Sequence, residues 1–182
     1  MTRQYLALLR GINVGGKNKL AMPELKTCFE ELGYGEVHTY LATGNVLFTA
    51  DKDPSVLAAE IEQVLPASFA LDTELVKVLV LSREQLQAVV DGAPAGFGTE
   101  LEKYYSDAIF LMGIPAADAF AVFKPREGVD AVWPGDGVIY SRRLAVERTK
   151  SRLSAIIASP LYKSMTIRSW GTVTRLLKLL DS

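Results

Sequence analysis

The feature that most constrains this chain is an order of short segments that occurs twice along it. In the first half, Tyr5 to Arg10 is a short apolar run stopped by Gly11, and it reads as a strand. Met22, Leu25, Cys28, Phe29 and Leu32 then recur at helical spacing around Pro23, and Gly33 ends the stripe. Val37 to Leu41 and Val46 to Thr49 read as two strands joined by the turn Thr43-Gly44-Asn45. Asp53-Pro54 supplies an N-cap and a first-turn proline for a second helix. Its buried face is Leu57, Ile61, Val64 and Leu65, and Pro66 is expected to end it. Leu75 to Leu81 is a strongly β-type run, and Ser82 with Gln85 makes a capping box for a helix reaching Asp91-Gly92.

The second half runs in the same order. Ala108 to Met112 reads as a strand and Pro115 to Phe123 as a short helix. Val129 to Trp133 and Val138 to Ser141 are strands around the turn at 134–137. Thr149 is expected to cap a helix carrying Leu153, Ile156 and Ile157 and ended by Pro160. Met165 to Arg168 is a last strand, and Val173, Leu176, Leu177 and Leu180 mark a terminal helix. Each half is βαββαβ, the split βαβ unit of ferredoxin-like folds. The expectation is an α+β protein of two ferredoxin-like lobes with antiparallel sheets packed together. Residues 1–92 form the first lobe plus the capped helix, 93–105 the linker, and 106–182 the second lobe with its terminal helix. The repeat is one of elements, without internal sequence identity. In the first strand Tyr5, Ala7 and Leu9 share one face and Leu6 and Leu8 the other, so both faces need covering, and the second lobe is the economical cover.

Composition narrows the setting. With 182 residues and 49% of them hydrophobic, the chain has enough apolar material for a core. No apolar run approaches the ~20 residues of a membrane span, and Tyr5 to Leu9 is too short for a signal-peptide core. The single cysteine excludes an internal disulfide. A cytoplasmic protein, monomeric or weakly dimeric and off the membrane, is expected. Net charge is −1, but residues 138–180 hold nine basic side chains and one acidic, against eleven and nineteen in residues 1–137. Such segregation presents an electropositive face or pairs with the acidic half.

Gly11-Ile12-Asn13-Val14-Gly15-Gly16-Lys17-Asn18 is one residue short of the P-loop pattern. Asn18 lacks the hydroxyl that a P-loop offers to Mg²⁺, and Pro23 starts the helix too late for its dipole to reach a phosphate held by the loop. Two readings remain for the loop. One is an anion nest of glycine N–H groups flanked by Arg10, Lys17 and Lys19, with Asn13 and Asn18 as amide donors; the other is a connector that uses glycine to turn. Thr43 and Asn45 either serve the hairpin turn or add polar contacts beside the loop. Cys28 falls on an apolar helical stripe, which marks a buried structural thiol. His38 is alone in a strand, and no metal set, catalytic dyad or triad is recognisable. The third strand carries one aromatic, Phe48, so RNA binding on the sheet face is disfavoured, while contact through the basic stretch 142–175 stays open.

Leu9 to Asn18, Thr39-Tyr40 with Thr43-Gly44-Asn45, and Arg168-Ser169-Trp170-Gly171-Thr172-Val173 together resemble a bacterial family of unknown function, domain-of-unknown-function family 1697. The resemblance runs over essentially the whole chain. It implies two ferredoxin-like subdomains and carries no activity. The family's hairpin serine is Thr43 here, two terminal asparagines are Ser169 and Gly171, and a lysine is Arg175. Residue reading and resemblance lead to one functional expectation: a small phosphate- or carboxylate-bearing ligand held between the lobes. The first lobe would supply Arg10, Asn13, Gly15, Gly16, Lys17, Asn18, Thr43 and Asn45. The second would supply Arg168, Trp170, Thr172 and Arg175, with Arg142 as a further cation. Whether the protein is an enzyme and which residues would be catalytic stay open, and no cofactor or metal is expected. The other classes are an RNA-binding module and a non-catalytic interaction scaffold.

Overall fold

The structure, a computed structural model, describes residues 1–72 and 76–182. Its strands are β1 (Arg3–Arg10), β2 (Gly35–Tyr40), β3 (Asn45–Ala50), β4 (Lys77–Ser82), β5 (Tyr104–Leu111), β6 (Asp130–Pro134), β7 (Val138–Leu144) and β8 (Met165–Ser169). Its α-helices are α1 (Met22–Glu31), α2 (Pro54–Ser68), α3 (Arg83–Asp91), α4 (Ala116–Ala121) and α5 (Trp170–Leu180). The strands form two four-stranded antiparallel sheets, β2-β3-β1-β4 and β6-β7-β5-β8. In each, the first strand of its half lies between the third and the fourth, the ferredoxin-like order. The chain divides into two compact units: Met1–Leu86 with Leu176–Ser182, and Gln87–Arg175.

In the first unit, Tyr5 to Leu9 are at most 1% exposed, so the central strand is buried on both faces as its unbroken apolar run requires. One face carries Tyr5, Ala7 and Leu9 against Leu25 and Phe29 of α1 and Leu57, Ile61 and Leu65 of α2. Phe29 meets Phe48 edge-on, with ring centroids 5.4 Å apart, and Tyr34 stacks on Phe48 at 4.9 Å. Burying each such ring contributes roughly 1.5–3 kcal/mol. The Tyr34 hydroxyl escapes the core by donating to Glu60 Oε2 at 2.7 Å. Glu60 also accepts from Lys52 at 2.5 Å, and these two donors hold its carboxyl below the usual range. Cys28 is buried, 3.9 Å from the Ser68 hydroxyl, and burial pushes its thiol up.

Two local readings need correction, and a third falls partly outside the described residues. Pro66 does not end α2, which runs to Ser68. A proline two residues from a helix end removes only one intrahelical bond, and Phe69 N–H still reaches Leu65 O at 3.0 Å. Asp53 does occupy the N-cap of α2, but through its carbonyl, which accepts from Val56 and Leu57 N–H; its side chain makes no cap bond. The strand expected from Leu75 is described from Lys77, Leu75 itself lying outside the described residues. By contrast, the capping box is reciprocal: Ser82 N–H donates to Gln85 Oε1 at 2.8 Å and Gln85 N–H to Ser82 Oγ at 3.1 Å.

The second unit departs further from the sequence reading. Thr149 caps no α-helix; it lies inside a 3₁₀ segment. The chain there makes three 3₁₀ segments, Ala145–Lys150, Leu153–Ala158 and Pro160–Ser164. Side chains intercept the N–H groups an α-helix would need: Asp130 Oδ2 takes Arg152 N–H, Ser151 Oγ takes Leu153 N–H and Ser159 Oγ takes Leu161 N–H. Leu153 and Ile156 nevertheless point into the core with Ile109, Leu111, Ile139 and Phe123. Within this unit Phe97 is buried among Trp133, Tyr140 and Trp170, with ring centroids 5.0–5.8 Å away. Gly98 is required there, because a Cβ would sit 2.0 Å from Trp170 Cδ1.

Candidate functional site

The loop between β1 and α1 is a short finger held by its own polar side chains. Gly15 and Gly16 both have positive φ, 57° and 76°, and Lys17 N–H bonds Val14 O at 3.0 Å. That is a two-residue turn of the kind that demands positive φ at both central positions. Below the tip, Asn13 Nδ2 donates to Leu20 O and Ala42 O, and Asn13 Oδ1 accepts from Leu20 N–H. Asn18 Nδ2 donates to Gly11 O at 2.8 Å, while Asn18 N–H donates to Asp72. Both asparagines sit at positive φ, a conformation their short amides tolerate. Val14, Gly15, Gly16, Lys17 and Lys19 remain exposed, and Arg10 is half-buried opposite Lys77 on β4.

The neighbouring hairpin is clasped the same way. Asn45 is fully buried, and its amide donates to Tyr40 O and Thr43 Oγ1 at 2.8 and 2.9 Å. Gly44 packs on Leu9 and Ile12, where a Cβ would approach to 2.9 and 2.8 Å. Arg10, Asn13, Gly15, Gly16, Lys17, Asn18, Thr43 and Asn45 thus meet at one end of the first unit. Three of them, Asn13, Asn18 and Asn45, spend their amide donors on backbone carbonyls.

In the second unit the strand alternation separates the candidates. Arg168 is 7% exposed; its Nη1 donates to Thr166 Oγ1 and Ile167 O, both at 2.9 Å, and burial lowers its pKa to about 10. It shares a sheet face with Ala108, its register partner. Trp170 is buried against Phe97 and Tyr140. Arg142 lies over the rings of Tyr104 and Trp133, 4.1 and 5.3 Å from their centroids. Thr172 pairs its hydroxyl with Ser169 Oγ at 2.9 Å, and Arg175 is exposed on α5.

The opposite face of the same sheet holds a polar cleft. Asp107 on β5 stands directly between Ser141 on β7 and Ser169 on β8. One step along, Arg143 stands opposite Tyr105 and lies 5.5 Å from its ring centroid. β8 ends at Ser169, so among the described residues no strand pairs with β5 from Tyr104 to Ser106 on that edge, where Tyr104 N–H bonds Glu100 O at 3.1 Å. A cavity of about 350 Å³ opens there, bordered by Tyr105, Asp107, Arg143, Ser169 and Gly171. Ser169 precedes α5, and its Oγ receives Thr172 N–H at 3.4 Å. The first N–H groups of α5 have no carbonyl behind them. Among the described residues, Asp107 and Arg143 form no direct ion pair and no side-chain hydrogen bond. Burial raises the Asp107 carboxyl above the usual range, and the nearby charge of Arg143 opposes that rise.

Sequence reasoning missed Asp107 and Arg143 because it cut both strands at their apolar cores, starting β5 at Ala108 and stopping β7 at Ser141. The signal was present in the alternation of Tyr104-Tyr105-Ser106-Asp107 before the apolar run, which a period-two reading continues into the strand.

The family described as "Protein of unknown function (DUF1697)" matches residues 1–140. A search of curated proteins gives no match. Among solved structures, the chain is similar to one described as the conserved bacterial protein SP0830 from Streptococcus pneumoniae. The TM-score is 0.81 at 25% identity, over 99% of each chain. In the described residues no helix is long and apolar enough to cross a membrane.

Proposed function

The chain belongs to the DUF1697 family of proteins of unknown function, and from that premise we propose that it binds a small phosphate- or carboxylate-bearing molecule in the cleft between β5, β7 and α5 of the second unit. The observation that carries this reading is the convergence of Arg143, Ser169 and the N-terminus of α5 on one cavity of about 350 Å³. Each offers donors to an anion. The guanidinium presents a planar fork that matches a carboxylate or phosphate in two parallel hydrogen bonds. The helix start contributes first-turn N–H groups that have no intrahelical acceptor, Thr172's being shared with Ser169 Oγ, and the positive end of its dipole. The unpartnered edge of β5 adds backbone groups beside them.

Asp107 supports the same reading from the other side. A half-buried carboxylate beside an arginine, with no direct bond between them, leaves room for a bridging ligand. It gives the cleft a preference for anions that also carry a hydrogen-bond donor. The test is calorimetric titration with inorganic phosphate. Binding to the wild-type protein, weakened roughly ten- to a hundredfold in Arg143→Ala, is the expected result. Unchanged binding in that variant would overturn the assignment of the cleft.

A further inference from the structure

A second cavity, of about 270 Å³, lies on the same sheet face, and Asp107 and Arg143 border it as well as the first. The two cavities therefore meet at this pair of side chains. Their linings differ in kind. Beyond Asp107, Arg143 and Ser141, the second cavity is walled by Ile109, Phe123, Leu153, Ile156 and Ile167. Phe123, Leu153 and Ile156 are buried core residues, so this wall is fixed by packing. The rim is largely apolar, with Ile157 60% and Ile167 38% exposed beside the hydroxyl-bearing Ser154 and Tyr162. Exposed isoleucines at the mouth of an apolar recess leave surface in water that a ligand would cover.

Resting on the anion-binding reading above, we infer that the ligand is an amphipathic anion: its charged group sits at Arg143, Ser169 and the start of α5, and an aromatic or branched aliphatic body fills the recess under Ile157. A recess of about 270 Å³ suits a body of ring size, and inorganic phosphate leaves it empty. Covering apolar wall strengthens binding in proportion to the area removed from water. The charge-bearing end and the apolar end sit on opposite sides of the Asp107–Arg143 pair, which fixes the ligand's direction in the groove. Asp107 then faces the linkage between head and body, where a hydroxyl or amide N–H of the ligand can donate to it.

The experiment compares inorganic phosphate with phenyl phosphate by calorimetry on the full chain. Phenyl phosphate is expected to bind roughly tenfold tighter or better. Two surface variants then probe the recess. Ser154→Trp fills it from an exposed position on its lining, and Ile157→Gln strips its rim. Each is expected to abolish the preference for phenyl phosphate and leave phosphate binding as it was. Equal affinities in the wild-type protein would overturn the amphipathic ligand while leaving the anion site standing. A preference that survives both variants would overturn the recess as its cause. Binding of neither probe would remove the anion reading and this inference with it.

Discussion

The finger of the first unit and the cleft of the second are both rich in polar side chains, but they spend them differently. In the finger, Asn13, Asn18 and Asn45 are turned inward, and their amides satisfy the carbonyls of Gly11, Leu20, Tyr40 and Ala42. In the cleft, Asp107 and Arg143 share a sheet face without a direct bond, with Ser141 and Ser169 at the register positions on either side of Asp107 and Tyr105 and Asp130 on either side of Arg143. The first arrangement lowers the energy of a loop that could not otherwise hold five residues at positive φ between Gly11 and Asn18. The second costs stability, because half-buried charges lose hydration without full compensation. Groups that satisfy one another build structure; groups left facing a cavity are available to a ligand. The longest motif in the sequence is, on this account, chiefly a structural clasp, and the proposed ligand groups join the terminal motif at Ser169 to Asp107 and Arg143 on strands that carry no motif.

Four substitutions would break or sharpen that contrast. The largest effect is expected from Asn13→Ala, which deletes three hydrogen bonds and places alanine at φ 52°. Denaturant unfolding should show a loss of about 2–3 kcal/mol, with phosphate affinity unchanged. Arg143→Ala should do the reverse, leaving the unfolding midpoint nearly in place while phosphate binding drops.

Asp107→Asn is expected to act on both properties more mildly. The folded protein holds the Asp107 proton in a window above the ordinary aspartate value of 3.8, where the unfolded chain has already released it. The native state binds the extra proton, so this residue's contribution makes stability fall as pH rises through the window. The asparagine variant should lose that slope and be the more stable protein at neutral pH. Sulfate, whose charge is constant across the window, should bind the wild type more tightly as pH falls and the variant with a flatter profile. The smallest effect is expected from Lys17→Ala. Its side chain projects from an exposed turn, so stability should move by less than about 0.5 kcal/mol, with phosphate binding unaltered.

The fold was readable because hydrophobic periodicity is a strong signal wherever an element is buried. The runs from Tyr5 to Leu9 and from Ala108 to Leu111 placed the central strands, and Leu25, Cys28 and Phe29 placed the buried face of α1. What failed were elements whose local chemistry competes with periodicity. Leu153, Ile156 and Ile157 have helical spacing, yet Ser151, Ser159 and Asp130 draw the backbone into 3₁₀ turns. The site was less legible. Glycines and asparagines between β1 and α1 look alike whether they bind a ligand or only each other, and the hydrogen bonds that distinguish the two cases exist only in three dimensions. Ser169 and Thr172 could be located from the terminal motif, but their neighbours Asp107 and Arg143 come from strands more than 25 residues away in the sequence.

The most direct test is a backbone amide NMR titration with inorganic phosphate, which reads the finger and the cleft in a single experiment. The account predicts that the amides of Trp170 and Gly171, with their neighbours on β5, shift saturably while those of Gly15, Gly16 and Lys17 stay in place. Saturable shifts at Gly15 and Gly16 without any at Trp170 and Gly171 would contradict it, and would make the glycine finger the anion site.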